Sequence, residues 1–144
     1  MHAEGLALVG SLALAAIRDL GWRCDVVGGL TLGADPVAYA IAAASAASPP
    51  VIHGFTVRKA GKTHGTGRRI EGCFEPGMSA VVVEDVITTG ASALEAAAAL
   101  QAEGGIVTGV LAVVDREEGG SEAIARAGFT VHSLVPVSAL LERP

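Results

Sequence analysis

Short apolar runs rich in β-branched residues alternate along this chain with alanine-rich runs of helical length, and that alternation leaves few folds open. CDVVGG (24–29), VIHGFTV (51–57), AVVVEDV (80–86), IVTGVLAVVD (106–115) and TVHSLVPV (130–137) read as strands. PVAYAIAAASAA (36–47), SALEAAAALQAEGG (92–105) and SEAIARAG (121–128) read as the helices between them, the last two ending in glycine. Strands that are apolar without alternation are covered on both faces, as in a parallel sheet. The expectation is therefore an α/β fold: an open, doubly wound, mainly parallel five-stranded sheet with helices on both faces. With 144 residues the chain is read as a single domain, 1–144. Ligands of such sheets bind beyond the carboxyl ends of the strands. That singles out the loops 28–35, 58–72, 85–92 and 115–120.

The apolar run GLALVGSLALAAI (5–17) precedes the first strand. Glu4 stands where a signal peptide has basic residues, and the run is shorter than the ~20 residues a bilayer crossing needs. It reads as a buried or interfacial helix, with the cytoplasm as the default location and no membrane partner. Two cysteines, Cys24 and Cys73, lie far apart with no C-x-x-C, so they read as free thiols and no metal-ligating side chains are assigned. The net charge of −5 argues against a nucleic-acid partner. Yet five of the ten Lys and Arg residues (Arg58, Lys59, Lys62, Arg68, Arg69) fall within one short stretch, a local anion site on an acidic protein.

The most informative stretch is VVVEDVITTGAS (81–92). Two carboxylates, Glu84 and Asp85, end an apolar strand, and a hydroxyl-rich turn leads into a helix. Thr88, Thr89 and Ser92 supply hydroxyls, while Gly90 lets the backbone turn and present its N–H groups. With the helix dipole behind it, residues 88–92 make a phosphate cradle. The acids would repel a phosphate but accept hydrogen bonds from vicinal hydroxyls, so a ribose 5-phosphate satisfies both halves. Taken singly, the acids could merely end a strand and Ser92 merely cap a helix. Two rival motifs fail on spacing. GGLTLGAD (28–35) is not G-x-G-x-x-G, and Gly61-Lys62-Thr63 has Thr56 where a P-loop needs glycine. VRKAGKTHGTGRR (57–69) holds both lysines of the chain and reads either as a solvated loop or as a lid over a polyanion.

VVVEDVITTGAS resembles the phosphoribosyl-diphosphate (PRPP) binding signature of type I phosphoribosyltransferases. The basic loop, with its R-K-x-x-K-x-H-G pattern, is similar to that of the orotate phosphoribosyltransferase family. GGLTLGADPVA (28–38) and VVDREEGG (113–120) resemble further segments of that family, in the same order. The resemblance implies transfer of ribose 5-phosphate from PRPP to orotate, giving orotidine 5-phosphate and pyrophosphate, with Mg2+. It implies that Glu84 and Asp85 hold the ribose hydroxyls and that Thr88, Thr89, Gly90, Ala91 and Ser92 hold the 5-phosphate. The loop 28–35 would receive pyrophosphate through backbone N–H groups, and Arg116 would meet the pyrimidine or its carboxylate. Arg58, Lys59, Lys62 and His64 would close over the diphosphate, across the subunits of a homodimer. Lys62, His64 and Asp85 are thus the implied catalytic residues. The family's N-terminal hood is expected to be absent, because the chain opens inside the helix before the first core strand. The alternative is a truncated, non-catalytic module that binds PRPP or a nucleotide.

Overall fold

The protein was analysed as a computed structural model, which describes residues 2–59 and 69–141. In chain order it contains α1 (Ala3–Asp19), β1 (Val26–Leu30), α2 (Ala34–Ala47), β2 (His53–Val57), β3 (Ile70–Gly72) and β4 (Ser79–Ile87). Then follow α3 (Ala91–Ala102), β5 (Ile106–Asp115), α4 (Gly120–Arg126), β6 (Val131–Pro136) and α5 (Val137–Leu141). The six strands form one sheet in the order β3-β2-β1-β4-β5-β6. β2-β1-β4-β5-β6 are parallel throughout, and only β3 runs antiparallel, against β2.

The five strands expected from the apolar runs are all present and all parallel, and the N-terminal apolar run is α1. Two short elements depart from the expectation, so the sheet has six strands rather than five. β3 carries a single apolar residue, Ile70, within a polar segment, too little for a periodic signal. It exists because β2 offers it an edge, pairing Phe55 with Gly72 and Val57 with Ile70. Strand formation there is set by the partner rather than by propensity. α5 is five residues placed directly after β6.

Alternation along each buried strand divides the core in two. Val27, Val81, Val83 and Leu111 point to the face covered by α1 and α2, where they pack with Leu14, Ile17 and Ile41. Val26, Ala80, Val82 and Val110 point to the other face, against α3 and α4 through Ala96, Leu100 and Ile124. Small alanines on the helices bring them close to the sheet, and the valines, isoleucines and leucines between the layers supply the bulk of the core. A fully buried valine or isoleucine is worth roughly 1.5–3 kcal/mol.

Asp25 gathers the amino-terminal edge of the sheet. Its N–H donates to Ser79 O (2.8 Å), its carbonyl accepts from His53 N (3.1 Å), and its carboxylate accepts from Ser79 N (2.8 Å). The starts of β1, β2 and β4 are thereby tied, leaving the opposite, carboxyl edge for a ligand. Among the described residues no helix is long and apolar enough to cross a membrane.

Candidate active site

Because β1, β2, β4 and β5 are parallel, the loops after them open at one edge of the sheet. The order reverses between β1 and β4, which is where ligands bind in sheets of this kind. Residues 31–33, 58–59, 84–92 and 115–119 therefore lie along that edge.

Strand alternation sends Glu84 and Asp85 to opposite sides of β4. Glu84 shares the side of Val82 and is 7% exposed, and its Oε1 has no hydrogen-bond partner. Its carboxyl is pushed up to about 7, first by burial and then by neighbouring Asp85, while Lys59 acts in the opposite direction. A buried carboxyl oxygen without a donor is costly unless a ligand supplies one. Asp85 is exposed on the other side, with Oδ1 accepting from Val86 N (2.8 Å). Its carboxylate lies against Gly33, the residue before α2. A Cβ built on Gly33 would fall 2.8 Å from both Asp85 oxygens.

The turn behind the acids is tight and leads straight into a helix. Gly90 adopts φ 79°, ψ 0°, a left-handed conformation that favours glycine, and the first turn of α3 follows it. Thr89 Oγ1 accepts from Ala91 N (3.4 Å), while Ala91 and Ser92 are exposed and Thr88 is half-buried. The N-cap residue Gly90 has no side chain to cap α3, so beyond Ala91 the N–H groups of its first turn are left for an anion.

The basic residues divide by how far they are described. Arg58 is anchored beside β3: its N–H donates to Arg69 O (2.9 Å) and its guanidinium pairs with Glu71 (3.0 Å). Lys59 is exposed beyond it and close enough to Glu84 to influence its ionisation. Arg69 pairs with Glu95 of α3. Lys62 and His64 lie outside the described residues. At the end of β5, Arg116 N–H donates to Ile87 O (3.0 Å), which seats it beside the acid strand, and its side chain pairs with Glu118 (2.8 Å). Both partners are about half exposed, so this pair is weak and a ligand carboxylate can replace Glu118. Asp115 holds the turn by accepting from Glu117 N (2.8 Å) and from the Ser121 hydroxyl.

The geometry also contains contacts that motif spacing did not indicate. The closeness of Gly33 to Asp85, and a carboxylate, Asp35, between two threonine hydroxyls, both join segments far apart in the chain. The only sequence signal for either was an acid in the first turn of a helix after a glycine-rich loop. Among the described residues no group of three or more His, Cys, Asp or Glu could hold a metal ion. Mg2+ prefers phosphate oxygens and water, so the donor set fits a metal carried on a diphosphate better than one caged by side chains.

A doubly wound sheet whose switch point joins a carboxylate pair to a phosphate turn defines a type I phosphoribosyltransferase core. An orotate phosphoribosyltransferase of Aquifex aeolicus is 49% identical over 138 residues, covering 96% of this chain and 74% of that protein. The chain belongs to the orotate phosphoribosyltransferase family. The Mycobacterium leprae enzyme of that name is also 49% identical, over 140 residues, covering 97% of this chain and 75% of that one. The crystal structure of Mycobacterium tuberculosis H37Rv orotate phosphoribosyltransferase in complex with PRPP matches with a TM-score of 0.86. Its identity is 45%, and the match covers 96% of this chain and 77% of that one. This chain thus spans about three-quarters of the length of these relatives. No family model matches it.

Proposed function

We propose that this chain transfers the ribose 5-phosphate group of PRPP to orotate, forming orotidine 5-phosphate and pyrophosphate. The observation that carries this is the buried Glu84 carboxyl with an unpartnered oxygen, next to exposed Asp85 and directly ahead of an anion-ready turn. A sugar that brings hydroxyl donors and a 5-phosphate satisfies both.

In this reading Glu84 and Asp85 accept from the ribose 2- and 3-hydroxyls, and residues 88–92 hold the 5-phosphate. Leu32, Gly33 and Ala34 present N–H groups to the diphosphate, those of Thr31 and Asp35 being engaged by Val57 O and Leu32 O, and Arg116 exchanges Glu118 for the orotate carboxylate. The bond from C1 to the diphosphate oxygen breaks with its electron pair leaving on pyrophosphate, and the bond from orotate N1 to C1 forms. The N1 proton is released. Positive charge builds on C1 as the diphosphate departs, so the work of the side chains is positioning and charge stabilisation. Arg58, Lys59, Lys62 and His64 carry the cationic side of that task, Lys62 or His64 protonating the departing oxygen. Mg2+ on the diphosphate offsets its charge. The exposed apolar side chains near the stem of the basic loop, Leu32 and Tyr39, favour a homodimer in which the loop serves the neighbouring subunit. The free thiols of Cys24 and Cys73 suit the reducing cytoplasm.

The decisive experiment is orotate consumption, followed by ultraviolet absorbance, with PRPP and Mg2+. PRPP-dependent loss of orotate is expected; a folded chain that binds PRPP without consuming orotate overturns the catalytic reading.

Glu84 adds a pH signature. Its carboxyl is held near 7 in the free protein, and hydroxyl donors favour the ionised form, so sugar binding pulls its pKa down. Ribose 5-phosphate affinity should therefore rise with pH up to about 7 and then level off, with proton release on binding near neutrality. The free protein behaves oppositely. Its folded pKa is raised, so the stability it draws from neutral Glu84 is complete at acidic pH and fades as pH rises through about 7. Calorimetry in two buffers of different ionisation enthalpy reads the proton release, and Glu84→Gln should remove this component.

A further inference from the structure

Asp35, in the first turn of α2, accepts a hydroxyl on each of its oxygens, from two different segments. Thr31 donates to one of its carboxylate oxygens (2.8 Å) and Thr56, near the end of β2, donates to the other (2.9 Å). A threonine hydroxyl has one proton to give, so the Tyr39 phenol, 3.1 Å from Thr56 Oγ1, must be the donor in that contact. Two backbone bonds complete the frame: Thr31 N–H to Val57 O (2.9 Å) and Asp35 N–H to Leu32 O (3.2 Å). The loop 31–33, the start of α2 and the end of β2 are thus joined through one carboxylate. Arg58 and Lys59 follow immediately from that end of β2.

Asp35 sits beside the N–H groups that would face an anion, where its own charge opposes that anion unless its lone pairs are engaged. The two hydroxyl bonds engage both oxygens and tie the carboxylate to the loop at Thr31 and to β2 at Thr56. The group lines a cleft of about 210 Å³ with Tyr39, Thr56 and Glu71, so it is not wedged in the core. Removing its charge leaves no cavity.

We propose that Asp35, bridged to Thr31 and Thr56 with Tyr39 behind them, is a positioning residue for the pyrophosphate half of the site. It holds the 31–33 loop and the root of the basic segment in register with each other. The 5-phosphate turn, built on the end of β4 and the start of α3, has its own support against α4. This rests on the transferase reading above and adds a division of the site into two halves with separate supports.

The test compares two ligands on the intact chain by calorimetry: Mg2+-pyrophosphate and ribose 5-phosphate. Asn at position 35 cannot accept two hydroxyls at both of its terminal atoms in the same way. Asp35→Asn should weaken pyrophosphate binding about tenfold, the loss of one charge-assisted bond. It should raise the KM for PRPP by a similar factor, leaving ribose 5-phosphate affinity and the melting temperature near wild type. Thr31→Val should reproduce this pattern, and Thr31→Ser, which keeps the hydroxyl, should restore pyrophosphate affinity. If Asp35→Asn does not fold, the valine and serine pair at position 31 decides alone. Equal weakening of both ligands, weakening of neither, or a serine variant no better than valine overturns the proposal. A wild-type chain that binds ribose 5-phosphate but not pyrophosphate overturns it while sparing the functional reading. Failure to bind either ligand removes both.

Discussion

Gly90→Val should destabilise the protein by about 3–5 kcal/mol and abolish ribose 5-phosphate binding. Two independent penalties meet at this residue. Its φ of 79° is a left-handed conformation in which a β-branched side chain is strongly disfavoured. Its added Cβ would also lie 2.8 Å from Gly120 O and 3.0 Å from Ile124 Cγ1. Backbone cannot move aside cheaply here, because the contact is reciprocal: a Cβ on Gly120 would stand 2.4 Å from Thr88 O and 2.9 Å from Gly90 N. The phosphate turn and the start of α4 are pressed together with no room for a side chain on either. For a domain of this size the loss corresponds to a fall in melting temperature of about 10 °C or more. Thermal unfolding followed by circular dichroism measures it. A variant that melts with wild type would show that this turn is not held against α4.

Gly33→Ala should do the reverse: leave the fold intact and cripple the reaction. Gly33 sits at φ −60°, ψ −42°, which any L-residue adopts, so alanine brings no backbone strain and slightly restricts the unfolded chain. Its methyl, however, would fall 2.8 Å from both carboxylate oxygens of Asp85. The end of a flexible side chain is what yields, so the carboxylate swings out of its position against the loop. If Asp85 orients the ribose as proposed, displacing it by about 1 Å lowers rate by ~10²-fold. The expected result is a drop of that order in kcat/KM for PRPP, with an unchanged or slightly raised melting temperature. Wild-type kinetics would mean that Asp85 serves the sugar from a range of positions. Together the two glycine variants separate a stability role from a site role at one edge of the sheet.

Much of the architecture was legible because it rests on local chemistry. Val81–Val83 and Val110–Val114 could only be buried strands, and the alanine-rich runs between them could only be close-packed helices. The acid pair followed by T-T-G-A-S was legible for the same reason, since a strand end, a tight turn and a helix start are all coded within one stretch. β3 was not, because Ile70–Gly72 becomes a strand only when β2 stands beside it. Arg116 was expected to meet the pyrimidine or its carboxylate; its pairing with Glu118 was not legible, because it belongs to a turn shaped by Asp115 and Ser121.

The sequence by itself determined the alternation of strand and helix, the parallel sheet, and the identity of the groups at its carboxyl edge. Each of these depends on residues within a few positions of one another, where spacing maps directly onto a face or a turn. Only the tertiary structure decided how those groups act on each other. It buried Glu84 without a partner, set Gly33 against Asp85, and closed Asp35 between Thr31 and Thr56. These contacts join β1, β2 and β4, strands brought side by side by crossover helices, and a pattern of neighbours along the chain carries no record of distances across a sheet.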